Sequence, residues 1–134
     1  MSKFLKDYQY GINKEIQLLP QIQKFLNDNT ICKLDNSNVF DFKGDNKYIE
    51  LKSRNNNYSK YPSTMVGQNK VDKASILNEE VYFFFSFTDG LYYWLYNTDD
   101  KLEIKINHCG RRDRGKKEIN NYCFIPIELL KKVI

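Results

Sequence analysis

Residues 81–96, VYFFFSFTDGLYYWLY, constrain the fold more tightly than any other part of the chain. Two apolar and aromatic runs, Val81 to Thr88 and Leu91 to Tyr96, flank Asp89-Gly90, a turn-forming pair. The spacing predicts two adjoining strands joined as a hairpin. A run without polar alternation is a strand covered on both faces, so Val81 to Thr88 is expected at the centre of a sheet. Neighbouring side chains in a strand point to opposite faces. Phe83, Phe84, Phe85, Phe87, Tyr92, Tyr93, Trp94 and Tyr96 must therefore be shared between two cores. An aromatic face left open would point to a homodimer; a closing helix would cover it.

A chain of 134 residues is long enough for one compact domain with a core of its own. With 41% hydrophobic and 15% aromatic residues it is not a disordered segment. No stretch reaches the ~18 apolar residues of a membrane span. Lys3 and Lys6 are not followed by an apolar run, so no signal peptide is expected. The expectation is a soluble intracellular protein, in the cytoplasm of a bacterium or a virus-infected host. Abundant Asn, Lys, Ile and Tyr, the products of AT-rich codons, agree with a phage, a virus or an AT-rich bacterium. Cys32, Cys109 and Cys123 form no paired pattern and read as reduced thiols, and His108 beside Cys109 lacks the partners of a zinc site.

Ile12, Ile16, Leu19, Ile22, Phe25 and Leu26 recur at helical spacing and predict a helix over 13–26, with Asn13 as N-cap and Glu15 in its first turn. Pro20 predicts a kink or a break there. A short strand is expected over 31–34 and a helix carrying Gln68, Lys70 and Lys73 over 64–77. Strands follow over 102–106 and 122–125, and Pro126 starts a closing helix over 127–133. No repeat, linker or shift in composition divides the chain. The fold class is α/β, a mixed central sheet flanked by helices in a single domain over 1–134.

The segments Val39 to Lys43 and Lys47 to Ser53 flank Gly44-Asp45-Asn46, residues suited to a tight hairpin turn. With Asp45 and Asn46 at its centre, Gly44 pairs with Lys47, Lys43 with Tyr48 and Phe42 with Ile49, and Asp41 falls opposite Glu50. Strand alternation sets Lys52 beside Glu50, with Phe40, Phe42, Ile49 and Leu51 on the other face. Facing carboxylates repel, so a sheet of purely structural purpose would not place them together uncompensated. A divalent cation compensates. Mg²⁺ takes one or two carboxylates and keeps waters for substrate phosphates, and Lys52 would stand near such a water. The alternative is a solvated polar face on which Lys52 merely neutralises Glu50.

Phe40-Asp41, eight residues and then Glu50-Leu51-Lys52, after a helix with Glu15 and before a helix with Gln68 and Lys70, resembles the PD-(D/E)xK nuclease superfamily. The resemblance covers about residues 13–88 and implies a restriction-endonuclease-like core of helix, hairpin, helix and strand. It implies that Asp41 and Glu50 bind Mg²⁺ (or Mn²⁺), that Glu15, the acidic residue of the first helix, joins them at the metal site, and that Lys52 is the motif lysine. Gln68 or Lys70 matches the polar residue often found on the helix after the motif strand. Phe40 stands where the motif has proline. The short chain and its terminal IPIELLKK resemble small phage-type junction resolvases.

Arg111, Arg112, Arg114, Lys116 and Lys117 against Asp113 place five positive charges and one negative in seven residues. Such a segment can neutralise phosphates, and Gly110 and Gly115 would let backbone approach them. A second basic set, Lys52, Arg54, Lys60, Lys70 and Lys73, brackets the hairpin with Tyr58 and Tyr61 interleaved where bases could stack. The whole reads as a Mg²⁺-dependent endonuclease on DNA. A branched-DNA (Holliday junction) resolvase and a non-catalytic nucleic-acid-binding module are the alternatives.

Overall fold

The computed structural model describes residues 2–107 and 120–134. His108, Cys109 and the basic segment from Arg111 to Lys117 lie outside the described residues. The chain runs through α1 (Lys3–Leu26), β1 (Cys32–Lys33), β2 (Phe42–Gly44), β3 (Lys47–Ser53), β4 (Ser63–Gly67), α2 (Gln68–Ile76), β5 (Glu80–Phe87), β6 (Gly90–Leu95), β7 (Glu103–Asn107), β8 (Asn120–Pro126) and β9 (Lys131–Lys132). A six-stranded sheet has the order β1-β2-β3-β5-β6-β9, and a three-stranded sheet the order β4-β8-β7. The larger sheet is mixed, because β3 and β5 run parallel while its other neighbours are antiparallel.

The aromatic hairpin is where the sequence places it. β5 lies between β3 and β6, and Phe83, Phe84 and Phe85 are each fully buried. Phe83, Phe85, Phe87 and Trp94 face a core closed by Val66, Ala74, Cys123, Ile125 and Leu130, which come from α2, the smaller sheet and the C-terminal segment. Phe84 faces a second core with Leu18 and Ile22 of α1 and Phe42, Ile49 and Leu51 of the β2–β3 hairpin. Two layers thus cover the aromatic strand.

α1 begins ten residues before the expected start. Ser2, not Asn13, is the N-cap, its hydroxyl accepting the Leu5 N–H at 3.1 Å. The helix also runs through Pro20 without the expected break. Pro20 and Ile16 are both exposed, so water can satisfy the carbonyl that Pro20 leaves without a donor. Asn27 ends the helix in the left-handed conformation (φ 51°), with the N–H groups of Asn27 and Asp28 donating back to Lys24 O and Gln23 O.

Two further expectations are corrected by pairing that is distant in sequence. Residues 63–67 form β4 rather than the start of a helix, because their alternating burial lets Thr64 and Val66 pair with Ile125 and Cys123 of β8. Only Gln68–Ile76 is helical. The closing helix is a single 3₁₀ turn over Ile127–Leu129, after which Leu130 enters the core and β9 pairs with β6. Phe40 departs from the face assigned to it and packs edge-on to Phe83, at 6.4 Å between ring centres, in the first core.

The end of α1 is tied to the β2–β3 turn by one carboxylate. Buried Asp28 accepts the Thr30 N–H (2.9 Å), the Asp45 N–H (2.9 Å) and Lys47 Nζ (2.8 Å). These donors, the Lys47 ammonium foremost, hold its pKa well below the usual carboxylate range. Gly44 makes room for it, since a Cβ there would sit 2.6 Å from Asp28 Oδ2 and 2.7 Å from Ile31 Cγ1. Gly44→Ala is expected to destabilise by ~1–3 kcal/mol, an overpacking cost, in urea unfolding. A depressed carboxylate contributes stability above its unfolded pKa and loses it as pH falls through the folded one. Asp28→Asn should therefore lower the melting temperature at neutral pH and flatten its fall in acid.

Candidate active site

The hairpin register is the one the turn predicts: Gly44 with Lys47, Lys43 with Tyr48 and Phe42 with Ile49. The ladder stops there, one residue before Asp41 reaches a position opposite Glu50. Instead the Asp41 N–H donates to Ile49 O at 3.0 Å, and its carbonyl accepts the Leu34 N–H at 2.8 Å. Its carboxylate takes the place of a backbone acceptor, receiving the Leu51 N–H on Oδ2 at 2.8 Å. Asp41 is thus anchored at the strand end through main chain and side chain together.

Glu50 is 1% exposed on β3, which is buried between β2 and β5. Lys52 Nζ lies 3.4 Å from Oε2 and Lys70 Nζ 3.5 Å from Oε1. Both are long for a charge-assisted hydrogen bond, and Oε1 has no hydrogen-bond partner. Burial first, and then the Asp41 charge, push the Glu50 pKa up to about 7 against the pull of Lys52 and Lys70. The first helix brings Glu15, which accepts from Lys33 Nζ. Burial raises its pKa, Lys33 opposes the rise and Asp41 adds to it. Three carboxylates from α1 and the hairpin are therefore near enough to repel.

One cavity of about 510 Å³ is lined by Glu15, Asp41, Glu50, Lys52, Arg54 and Lys70, with Lys3, Asp7 and Tyr8 of the unforeseen first turns of α1. Of the helix residues considered at the motif, Lys70 lines it and reaches both Glu50 and the Val39 carbonyl. Gln68, at the first turn of α2, is not in its wall, and its Oε1 is buried without a partner. Lys60 and Lys73 are exposed outside it, Lys60 lying over the Tyr61 ring. Arg54 is mostly buried instead of displayed on the surface, donating to the Met65 carbonyl. Lys33 is the residue that sequence reasoning missed, because only the pairing of β1 beside β2 brings it to Glu15.

Among the described residues no three His, Cys, Asp or Glu side chains form a ready cage for a metal ion. The donor set nonetheless suits a hard cation that needs few protein ligands. Asp41 and the orphaned Glu50 oxygen offer anionic oxygen into a polar cavity, and Mg²⁺ ordinarily fills its remaining positions with water and phosphate oxygen.

A family described as "Phage putative PDDEXK endonuclease" matches residues 11–133. The chain belongs to that family. The match takes in α1 from Gly11, the hairpin, both sheets and the C-terminal segment, so it extends well beyond the motif. Comparisons with curated proteins and with solved structures find no match. No helix among the described residues is long and apolar enough to cross a membrane.

In this chain Glu50 binds a proton more tightly folded than unfolded. Its contribution to stability therefore falls as pH rises from about 4.5 to about 7 and is level above. Glu50→Gln removes the buried charge. It is expected to unfold at higher urea than the parent at pH 8, by a free energy on the order of 3 kcal/mol, and to match it near pH 4.5.

Proposed function

We propose that the protein is a Mg²⁺-dependent endonuclease that hydrolyses DNA phosphodiester bonds, with Asp41 and Glu50 holding the cation. The observation that carries the reading is the buried Glu50 Oε1, without a hydrogen bond and only 3.5 Å from Lys70 Nζ, beside a second carboxylate in an open polar cavity. Membership of a phage PDDEXK endonuclease family supports it from the side of sequence.

A divalent cation at this site supplies Lewis acidity toward a phosphate and lowers the pKa of water. The chain's own groups do the rest. Asp41 is prevented from turning away by the Leu51 N–H. Glu50 is flanked by two ammonium groups, which favour its ionised form against burial. Lys70 is tied to the Val39 carbonyl and so is set back as a positioning charge. Lys52, 38% exposed at the side chain, is the more accessible of the two lysines at Glu50. It is placed to orient the attacking water and to offset charge gathering on the phosphate. Glu15 restrains the site through Lys33 and Asp41 rather than through Glu50. Gln68 stands at the start of α2, outside this wall. Arg54, Lys60, Lys70 and Lys73 provide positive charge around the hairpin, joined by Arg111, Arg112, Arg114, Lys116 and Lys117 of the downstream segment.

Purified protein is to be incubated with supercoiled, linear and four-way branched DNA and with RNA, in Mg²⁺, Mn²⁺ or EDTA. Cleavage of DNA with metal and none in EDTA is expected. Asp41→Ala and Lys52→Ala should each lower the rate at least about 10²-fold while remaining folded. Retention of Mg²⁺-dependent cleavage by both variants overturns the assignment. Products confined to branched DNA select a resolvase, and salt-sensitive binding without products selects a binding module. Mg²⁺ should also raise the melting temperature at pH 8, and less so in Glu50→Gln, a readout that needs no substrate.

A further inference from the structure

Arg54 borders two cavities. It follows β3 directly, and its N–H donates to Ser86 O at 2.8 Å, continuing the alignment of β3 with β5. Its side chain lines the carboxylate cavity on one side and, on the other, a cavity of about 340 Å³ whose wall includes Tyr58, Tyr61, Phe87, Phe124 and Asn56. The guanidinium donates to the Met65 carbonyl and, from Nε at 3.4 Å, to Thr64 Oγ1, and it forms no ion pair among the described residues. Its hydrogen-bond partners are neutral, the nearby Glu50 carboxylate favours its charge, and its spare donors leave it able to take a further acceptor from outside.

The second cavity has the character of a ring-binding site. Tyr58 is rigid, stacked on Tyr92 at 4.2 Å and 7°, with its hydroxyl donating to Ile127 O at 3.0 Å. Tyr61, 53% exposed, lies at the mouth with Lys60 over its ring. Apolar and aromatic walls with a few convergent polar groups are how proteins take up planar heterocycles. Arg54 is ~7 Å along the strand direction from Lys52, a span suited to neighbouring nucleotides.

We propose that this second cavity receives one nucleobase of the substrate strand, next to the phosphate positioned over Asp41 and Glu50. The inference rests on the nuclease reading and deepens it. The base stacks on Tyr61, and Arg54 donates to an acceptor on its edge or on its own phosphate. A base inside a duplex cannot enter, so the strand must present it unpaired or extruded, at the cost of unstacking it. A mismatched, frayed or branched site meets that demand at least cost.

The test uses the full chain carrying Lys52→Ala, so that binding is read without turnover. Strands bearing 2-aminopurine or an abasic site at successive positions about the cleaved phosphate are titrated against it. Expected is one position at which 2-aminopurine fluorescence is quenched on binding. Adding Tyr61→Ala should abolish the quench and weaken binding about 5- to 100-fold, whereas Tyr61→Phe keeps both. An abasic site at that position should erase the difference in binding between the chain that keeps Tyr61 and the one carrying Tyr61→Ala. A quench untouched by Tyr61→Ala, or abasic strands that bind as well as intact ones at every position, overturns the proposal. These readouts are independent of cleavage, so the proposal can fail while Asp41→Ala and Lys52→Ala uphold the nuclease. If the wild-type chain binds no strand at all, both readings fall together.

Discussion

β3 is enclosed on both sides and in both directions of the sheet, hydrogen-bonded to β2 and β5 and covered by two cores. A strand in that position should be apolar throughout. Ile49 and Leu51 obey, facing α1, but Glu50 between them is sent into the opposite layer with 1% of its surface exposed. The lysines at 3.4 and 3.5 Å soften the cost without ending it, because neither gives Oε1 a hydrogen bond. Much of the surrounding arrangement follows from keeping one acidic group at that depth: a polar cavity opens above it, α2 is placed so that Lys70 reaches it, and the hairpin ladder stops short at Asp41.

The part of this that local chemistry dictates was readable in the residues. Asp45-Asn46 can form only a short turn, and a two-residue turn determines every pairing beyond it, so the register through Phe42 and Ile49 was available from the turn alone. The aromatic run likewise announced a strand between two cores. What was hidden depended on partners far away in the chain. Residues 63–67 resemble a helix start until β8 lies beside them, and residues 127–133 resemble a helix until β6 offers an open edge. The early start of α1 has a local sign in Ser2, but Tyr8, Gln9 and Tyr10 interrupt the apolar period that would carry the helix back to it.

The site divides along the same line. Glu50, Lys52 and Asp41 share a cavity as their spacing suggested, although Asp41 arrives as a side-chain acceptor for Leu51 rather than as a ladder partner. That substitution needs only one residue of departure from regular pairing, and it moves Phe40 from one core to the other. Lys70 rather than Gln68 reaches Glu50, since two residues apart on a helix their side chains point to roughly opposite sides. Arg54 carries a similar lesson: in sequence it is one more basic residue near the motif, whereas its backbone pairing with β5 draws the side chain inward between two cavities.

Asp28, in the turn after α1, and Glu50, on β3, show how the same group is used in opposite ways within one fold. Asp28 collects donors until its charge is fully compensated, its pKa falls, and it becomes the tie between α1 and the hairpin. Glu50 is given long contacts and a neighbouring carboxylate, and its pKa rises. The first arrangement makes the folded state more stable as the carboxylate ionises, and the second makes it less stable. A cation entering between Asp41 and Glu50 would reverse the second sign, converting repulsion into coordination. The cost of burying Glu50 falls on a scaffold secured elsewhere, and the bonds from Asp28 to the turn of the same hairpin are one of the places where that security lies.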